Sequence, residues 1–397
     1  MKFLQILRKA VTSPENRHRV ASISANSHPF SHQIHSQPSH PASFGIAFDI
    51  DGVILRGDTP IGGSPQALRR LYDDSGTLRI PYVFLTNGGG VPESKRATEL
   101  SKLLSVHIVP SQVIQGHSPF KQLLKRFENE LIIAVGKGEP ALVMSEYGFK
   151  NVLTIDEYAS YFEHIDPLGR FKNWVNQQAG YDKSFSGELD RRNDPCSQRV
   201  QAVFIVSDSV DWSRDIQWTS DRYYSSVNRY NIKLWKLNCA LTFSVFIHEA
   251  PKSEVDRSKF QVLCDILSTG GLPGKEISSQ PPLYFANDDL LYQGLFPTER
   301  LGMGAFRIAL ESIYNRIYPN VLEYTSYGKP NPCVFRNAEN VLMQVVPSTI
   351  SPQINGQSPF KTLYMIGDNP SVDIRGAQQV VDTVEEAVDY ILRKEAF

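Results

Sequence analysis

Short apolar runs, each ended by polar residues or glycine, recur along the chain and predict buried parallel strands. The clearest is Phe44–Phe48, which is too short for a helix and is followed by Asp49-Ile50-Asp51-Gly52. Further strands are predicted at Ile80–Leu85, Leu131–Val135, Ala202–Val206, Leu283–Ala286 and Leu363–Ile366. Helical patterns lie between these strands, at Ser64–Tyr72, Pro92–Leu104, Gly304–Ile317 and Val380–Lys394. The alternation predicts the α/β class, with two α/β units built on parallel sheets.

The first 43 residues depart from this pattern, because five basic residues stand against a single acid, Glu15. The opening MKFLQILRKAV can form a basic amphipathic helix, and the Ser/His/Pro-rich stretch after it could not pack a core. This composition is typical of a transit peptide, so residues 1–43 are predicted to be a disordered, transit-peptide-like segment. The predicted destination is the mitochondrion, with the chloroplast as the alternative. A disordered tail without a targeting role is the other interpretation.

Composition and charge narrow the functional classes. An apolar content of 41% and a charged content of 21% over 397 residues describe a globular protein of two or three domains. The net charge of -1, without a basic block, gives no indication of nucleic-acid binding. The four cysteines form no CxxC pair, which argues against a disulfide framework or structural zinc site and suits a reducing compartment. No apolar run reaches the length of a membrane-spanning helix.

Two carboxylates follow the first predicted strand, and their spacing indicates a metal site. Asp49 and Asp51 are two residues apart, which places them on one side of an extended chain, and Gly52 then allows a sharp turn. Adjacent like charges repel each other unless a cation neutralises them. The alternative is a solvated turn, since Asp and Gly are both common in turns.

Further polar groups follow two other strands or stand in a turn. Thr86 and Asn87 begin a Gly-rich turn whose hydroxyl and backbone groups can donate to a phosphate. Lys329 stands in a tight turn, and Asp368 and Asp373 follow the last strand. The alternative for each feature considered alone is that the Gly-rich turn is an ordinary loop between a strand and a helix, and that Lys329 is a solvated loop lysine. Carboxyl ends of parallel strands share one sheet edge, where α/β proteins bind ligands, so these groups are expected to converge.

Such a set suits magnesium-dependent phosphoryl transfer. Carboxylates supply the oxygen ligands that Mg²⁺ prefers, the metal and a lysine neutralise the transferring group, and a threonine donates a hydrogen bond. A carboxylate can also attack phosphorus and form an aspartyl-phosphate. A second acid two residues further on can protonate the leaving oxygen and then activate water.

The set and its order resemble the haloacid dehalogenase (HAD) superfamily, class IIA, and within it the subfamily of mitochondrial hydrolases similar to cat eye syndrome critical region protein 5. The resemblance covers most of Phe44–Gln379 and rests on the segments FDIDGVILRG, FLTNGGG, VGKGEPA, GAFRIALE, YGKPNPCVFR and MIGDNPSVDIRGA. It implies an HAD-type Rossmannoid core with a parallel sheet, formed by residues 44–115 and 301–397. Residues 116–300 would then be an inserted α/β class IIA (C2) cap that selects the substrate.

The resemblance also implies a role for each motif residue. Asp49 would be the nucleophile and a magnesium ligand, and Asp51 the acid/base, with its backbone carbonyl as a second ligand. Asp368 would bind magnesium, and Asp373 would ligate through water or orient the site. The phosphate would be held by Thr86, Asn87 and Lys329.

Two features depart from this subfamily. Residues 218–261 interrupt what looks like one cap helix and are interpreted as an insertion. After Gln379 the chain passes directly into the helix pattern Val380–Lys394, so one core strand is expected to be missing. A missing strand would expose part of the sheet edge.

The sequence therefore predicts an Mg²⁺-dependent phosphatase of a small phosphorylated metabolite. One alternative is a non-catalytic module, or an inactive isoform, that binds a phosphorylated ligand or partner. Another is a transferase of phospho-groups in glycerophospholipid metabolism. No nucleic-acid partner and no stable membrane span are expected, and the resemblance implies homodimerisation through the cap.

Overall fold

The computed structural model describes residues 4–10, 44–162, 198–210, 258–296, 298–345, 362–369, 372–373 and 379–397. Within them the strands are β1 (Leu4–Ala10), β2 (Phe44–Phe48), β3 (Leu55–Arg56), β4 (Thr59–Pro60), β5 (Tyr82–Leu85), β6 (Val113–Ile114), β7 (Leu131–Val135), β8 (Asn151–Thr154), β9 (Ala202–Ile205), β10 (Leu283–Phe285), β11 (Leu291–Tyr292), β12 (Arg300–Leu301), β13 (Thr325–Ser326), β14 (Thr362–Gly367) and β15 (Gln379–Val381). The α-helices are α1 (Ser64–Arg69), α2 (Glu93–Leu104), α3 (Leu124–Phe127), α4 (Pro140–Glu146), α5 (Ile155–Ser160), α6 (Ser258–Ser268), α7 (Met303–Ile317), α8 (Pro332–Val345) and α9 (Val384–Lys394). Short 3₁₀ helices span Pro110–Gln112 and Ser118–Leu123.

The chain divides into two compact units. The first contains residues 1–86, 93–114 and 329–397, and the second contains residues 87–92 and 115–328. The sequence analysis placed residues 301–328 in the core, whereas the structure groups them with the second unit, because β13 pairs with β10 there. The Gly-rich segment 87–92 is also grouped with the second unit.

The sheet of the first unit has the order β15-β1-β14-β2-β5-β6. Strand β2 lies at its centre, and β14 and β5 flank it in parallel. Alternate residues of β2 serve opposite faces of the sheet: Ile46 and Phe48 pack in one apolar cluster, and Ala47 packs in another. Because both faces are covered, the strand is apolar throughout, as the sequence indicated.

The second unit is built on a parallel sheet of order β13-β10-β9-β7-β8. The buried strands β7, β9 and β10 correspond closely to the predicted apolar runs. Phe204 lies at the centre of an aromatic cluster, with its ring centroid 5.1 Å from that of Phe120 and 5.0 Å from that of Tyr284. The two α/β units that the sequence predicted are therefore present.

The predicted N-terminal helix is wrong for residues 4–10, which form the strand β1. This strand pairs antiparallel with β14 on one side and with β15 on the other. Both neighbours satisfy its backbone hydrogen-bonding groups, whereas a short isolated helix would be only marginally stable. The rest of the predicted transit-peptide-like segment, residues 1–3 and 11–43, lies outside the described residues.

The C-terminal prediction also needs correction. Helix α9 begins at Val384 rather than at Val380, because residues 379–381 form β15. The edge of β14 that a missing core strand would leave open is occupied by β1. Most of the predicted insertion, residues 218–257, lies outside the described residues.

A proline at Ile6 tests the pairing of β1. Ile6 stands opposite Ile366 of β14 and Gln379 of β15, and proline removes the backbone donor that such a ladder uses. We expect Ile6→Pro to lower the free energy of unfolding by about 1–3 kcal/mol more than Ile6→Ala, which keeps the backbone N–H. Urea denaturation measures both variants, and equal stabilities would contradict the strand assignment.

In the part of the chain that the structure describes, no helix combines the length and the apolarity needed to cross a membrane.

Candidate active site

The site of the first unit is built around the end of β2. Asp49 directly follows this strand, and its backbone N–H donates to the carbonyl of Ile366 in β14 at 2.9 Å. Because β2 and β14 run in parallel, their carboxyl ends lie together, and the Asp49 side chain is buried there. The apolar sequence of β2 thus holds a carboxylate in a protected position.

The chain turns immediately after Asp49, at Gly52. This residue has a φ of +87°, which side chains other than glycine rarely allow, and its N–H donates to the carbonyl of Leu55 at 2.8 Å. A Cβ atom at Gly52 would lie 2.4 Å from Oδ2 of Asp368. The glycine therefore allows both the turn and the close approach of the Asp368 carboxylate.

Asp51 and Thr86 form a contact beside this turn. Thr86 directly follows β5 and is buried, and its Oγ1 donates to Oδ2 of Asp51 at 3.3 Å. The backbone N–H of Thr86 donates to the carbonyl of Ile114 in β6 at 3.0 Å, which fixes the threonine at the end of its strand. The hydroxyl is thus placed next to the second carboxylate of the Asp-Ile-Asp motif.

Lys329 lies among the carboxylates rather than in solvent. Its side chain is buried, and its Nζ donates to Oδ1 of Asp49 at 2.8 Å and to Oδ1 of Asp373 at 2.5 Å. The alternative of a solvated loop lysine is therefore wrong. Asp373 is held in turn by the backbone N–H of Asn369, which donates to its Oδ2 at 3.0 Å.

Three acids of this site could hold a metal ion. One carboxylate oxygen from each of Asp49, Asp368 and Asp373 lies within 4.8 Å of the other two. Lys329 supplies one positive charge against these three negative charges, so a divalent cation would improve the charge balance. Oxygen ligands from carboxylates are those that Mg²⁺ prefers, and the donor set therefore fits magnesium.

Burial and neighbouring charges shift the pKa values of the buried pair Asp49 and Lys329. Burial raises the pKa of Asp49 well above its usual value, Asp373 raises it further, and Lys329 partly offsets both effects. Burial lowers the pKa of Lys329, but the carboxylates of Asp373 and Asp49 outweigh burial and raise it. A cation beside Asp49 would stabilise its charged, nucleophilic form.

Asn87, predicted to contact phosphate, has other partners in the second unit. Its Nδ2 donates to both carboxylate oxygens of Asp289, each at 3.0 Å, and Nδ2 of Asn287 donates to the Asn87 carbonyl at 2.8 Å. Sequence analysis did not identify these two residues as partners of Asn87. Their position directly after β10 was the available signal, because polar residues at strand ends often serve sites.

An alanine at Gly52 tests the close approach of Asp368. We expect Gly52→Ala to lower the free energy of unfolding by about 1–3 kcal/mol more than Gly76→Ala, because the new methyl group collides with a carboxylate. Gly76 is a matched control, since its φ is +80° and no atom lies within 4 Å of an added Cβ. Thermal denaturation compares the two variants, and equal losses would contradict the packing described.

Sequence models of known families match the two segments of the chain that supply the residues of this site. One, described as haloacid dehalogenase-like hydrolase, matches residues 46–150, and another, described as HAD-hydrolase-like, matches residues 326–380. The first match contains Asp49, Asp51 and Thr86, and the second contains Lys329 and Asp368. The matches thus include the strand ends that carry the carboxylates.

Two curated proteins are similar over most of this chain. The mitochondrial hydrolase YKR070W of Saccharomyces cerevisiae is 30% identical over 348 residues, covering 84% of this chain and 83% of the relative. A cardiolipin synthase (CMP-forming)/mitochondrial hydrolase fusion protein of Schizosaccharomyces pombe is 29% identical over 333 residues. That alignment covers 84% of this chain but only 46% of the fusion protein, so this chain spans about half of that relative.

A solved structure, the hypothetical protein PH1952 from Pyrococcus horikoshii OT3, is 17% identical with a TM-score of 0.45, covering 87% of this chain and 99% of that chain. The family is assigned from sequence similarity. The alignment with the yeast hydrolase covers most of this chain and most of the relative, and the two family models match the segments that contain the acidic strand ends. The chain thus belongs to the haloacid dehalogenase-like hydrolases.

Proposed function

We propose that this hydrolase is a magnesium-dependent phosphatase that acts on a small phosphate monoester through an aspartyl-phosphate intermediate. The observation that carries the proposal is the bridge from Lys329 to Asp49, which directly follows β2, and to Asp373, in the segment after β14. This bridge holds one carboxylate ready for attack and places a positive charge where a phosphoryl group would bind.

In the first step, an oxygen of Asp49 attacks phosphorus while the bond from phosphorus to the ester oxygen breaks. Asp51 donates a proton to the leaving oxygen, so the alcohol departs neutral. Thr86 Oγ1, now 3.3 Å from Asp51, donates to a phosphoryl oxygen, and the Lys329 ammonium balances the charge of that group.

In the second step, Asp51 takes a proton from water, and the resulting hydroxide attacks phosphorus. The bond between phosphorus and Asp49 breaks, which releases inorganic phosphate and restores the Asp49 carboxylate. Asp51 therefore ends the cycle protonated again, with a proton from water in place of the one that left with the alcohol. Asp49 and Asp51 therefore have the same protonation states after one turnover as before it.

Asp49, Asp368 and Asp373 would hold the magnesium ion, with the Asp51 carbonyl as a further ligand that the family resemblance implies. When bound, the ion would supply positive charge that offsets the negative charge of the phosphoryl oxygens. Lys329 donates to one oxygen of Asp373 and the backbone N–H of Asn369 donates to the other, so Asp373 would serve through a remaining lone pair or through water.

Phosphate release from p-nitrophenyl phosphate tests the proposal. The full chain is assayed with Mg²⁺, with EDTA, and with Mg²⁺ restored after EDTA. We expect release that depends on Mg²⁺ and returns when the metal is restored. No release from folded protein at any Mg²⁺ concentration would argue for the alternative of a non-catalytic module that binds a phosphorylated ligand.

The fusion of a relative to a cardiolipin synthase favours a narrower substrate class. On this ground we propose a phosphate monoester of glycerophospholipid metabolism as the substrate. Transfer of the phosphoryl group to an acceptor other than water is the second candidate, and product analysis separates the two. Free phosphate in amounts equal to the alcohol indicates hydrolysis, and a new phosphoester indicates transfer.

We further propose that the protein acts in mitochondria, because both curated relatives carry the term mitochondrial hydrolase in their names. A fluorescent fusion of the full chain, compared with a mitochondrial marker, tests this proposal. Fluorescence spread through the cytosol would contradict it.

A further inference from the structure

The segment after β10 holds the residue that follows Thr86. Nδ2 of Asn287 donates to the backbone carbonyl of Asn87 at 2.8 Å, and Nδ2 of Asn87 donates to both carboxylate oxygens of Asp289, each at 3.0 Å. The N–H of Asp289 donates in turn to Oδ1 of Asn287 at 3.1 Å. We call these three residues the Asn–Asp network. Because it binds both the carbonyl and the side chain of Asn87, it fixes the orientation of that residue.

The same strand end holds the residue that precedes Lys329. The N–H of Tyr327 donates to the carbonyl of Phe285, the last residue of β10, at 2.9 Å. Gly328 is buried, and a Cβ atom at this position would lie only 2.8 Å from Oδ1 of Asn87. Glycine thus allows the chain to lie directly against the Asn–Asp network just before the lysine.

Thr86 and Lys329 are each one peptide bond away from a residue that is held in this way. The chain passes from the first unit to the second between Thr86 and Asn87, and returns to the first between Gly328 and Lys329. The peptide bond is planar, so only a few backbone dihedrals separate each fixed residue from its neighbour. Fixing Asn87 and Gly328 therefore limits where the Thr86 hydroxyl and the Lys329 ammonium can lie.

We infer that Asn287 and Asp289 are positioning residues for the proposed phosphatase reaction. By holding Asn87, they keep the Thr86 hydroxyl and the Lys329 ammonium where both meet the phosphoryl group. Groups that stabilise a transition state must be placed within about 0.5 Å, and a displacement of about 1 Å can reduce the rate about a hundredfold. The inference rests on the proposed function, because it assigns these residues a role in that reaction.

Steady-state kinetics of Asp289→Ala in the full chain test the inference. Hydrolysis of p-nitrophenyl phosphate is measured at saturating Mg²⁺, below the unfolding temperature of each protein. We expect kcat to fall about ten- to a hundredfold while KM changes less than about threefold, because misplaced groups weaken transition-state stabilisation more than substrate binding. The control Asp288→Ala removes the adjacent carboxylate and its 2.6 Å pair with Arg307, and it should leave kcat and KM unchanged.

A conservative variant tests whether the hydrogen bond itself matters. Asp289→Asn keeps one acceptor oxygen for Nδ2 of Asn87, so we expect its kcat to lie between those of Asp289→Ala and the wild type. This variant also provides the comparison if Asp289→Ala does not fold at the assay temperature. A wild-type kcat for folded Asp289→Ala, or a change in KM alone, would overturn the inference.

The double variant Asn87→Ala/Asp289→Ala tests whether the two side chains act together. If they act through their shared hydrogen bonds, the double variant should be about as active as the less active single variant. Single losses that multiply in the double variant would overturn the positioning role and leave the proposed hydrolysis intact. A folded wild type that releases no phosphate would instead overturn the proposed function, and the positioning role with it.

Discussion

Asp49→Asn is expected to reduce kcat/KM for p-nitrophenyl phosphate by about a thousandfold or more, because the amide cannot replace the attacking carboxylate. The change keeps the size of the side chain and removes one negative charge from a buried cluster. Lys329 would retain its bond to Asp373, so the folded structure should persist. The assay measures phosphate release at saturating Mg²⁺, beside a denaturation curve for each protein.

Asp74→Asn is the matched control for this experiment, since Asp74 is an exposed carboxylate in the same unit. It should leave kcat/KM unchanged. Activity of Asp49→Asn within a few-fold of the wild type would remove Asp49 from the chemistry. The other carboxylates of the cluster would then have to supply the nucleophile.

The second large effect is expected for Lys329→Met. This change leaves the buried carboxylates of Asp49 and Asp373 without the ammonium that bridges them. Removing one partner of a buried ion pair typically costs about 3–5 kcal/mol, and we expect a loss of this size in Mg²⁺-free buffer. Phosphatase activity should also fall strongly, because the phosphoryl group loses a positive charge.

Magnesium provides a direct check on the reason for this loss. If Asp49, Asp368 and Asp373 hold the ion, added Mg²⁺ should restore part of the stability of Lys329→Met. The double variant Asp49→Asn/Lys329→Met should lose less than the sum of the single losses, because one uncompensated charge is gone. The exposed Lys102→Met serves as the control. A loss for Lys329→Met no larger than that of the control would contradict the buried bridge.

The parts of the site predicted best are those that follow buried strands. Strand β2 is short, apolar and covered on both faces, so its end could be located from the sequence, and Asp49 with it. Thr86 after β5 and Asp368 after β14 follow the same rule. Parallel pairing then explains why residues far apart in the sequence meet at one edge.

Pairing between strands far apart in the chain could not be predicted from the sequence. The segment 4–10 was expected to be helical from its local pattern, but two backbone ladders with β14 and β15 decide its structure. The same pairing fills the sheet edge that the sequence left open. Local periodicity carries no information about such an edge, because the partners are more than 350 residues away, as in the pairing of Ile6 with Ile366.

The side-chain contacts of loop residues could not be predicted from the sequence either. Lys329 looked like a solvated lysine when considered alone, and only its approach to Asp49 and Asp373 gives it a role. Asn87 adjoins Thr86 in the sequence, yet its side chain is bound by Asp289, about 200 residues later. A residue's neighbours in a motif therefore did not determine its hydrogen-bond partners here.

The most direct test of the account is to look for the phosphorylated aspartate itself. Wild-type protein is mixed with p-nitrophenyl phosphate and Mg²⁺, quenched in acid within milliseconds, and digested for mass spectrometry. The account predicts the mass of one phosphoryl group on the peptide that contains Asp49, lost on hydroxylamine treatment and absent in Asp49→Asn. Rapid phosphate release without any phosphorylated peptide, or phosphorylation of a different residue, would contradict nucleophilic attack by Asp49.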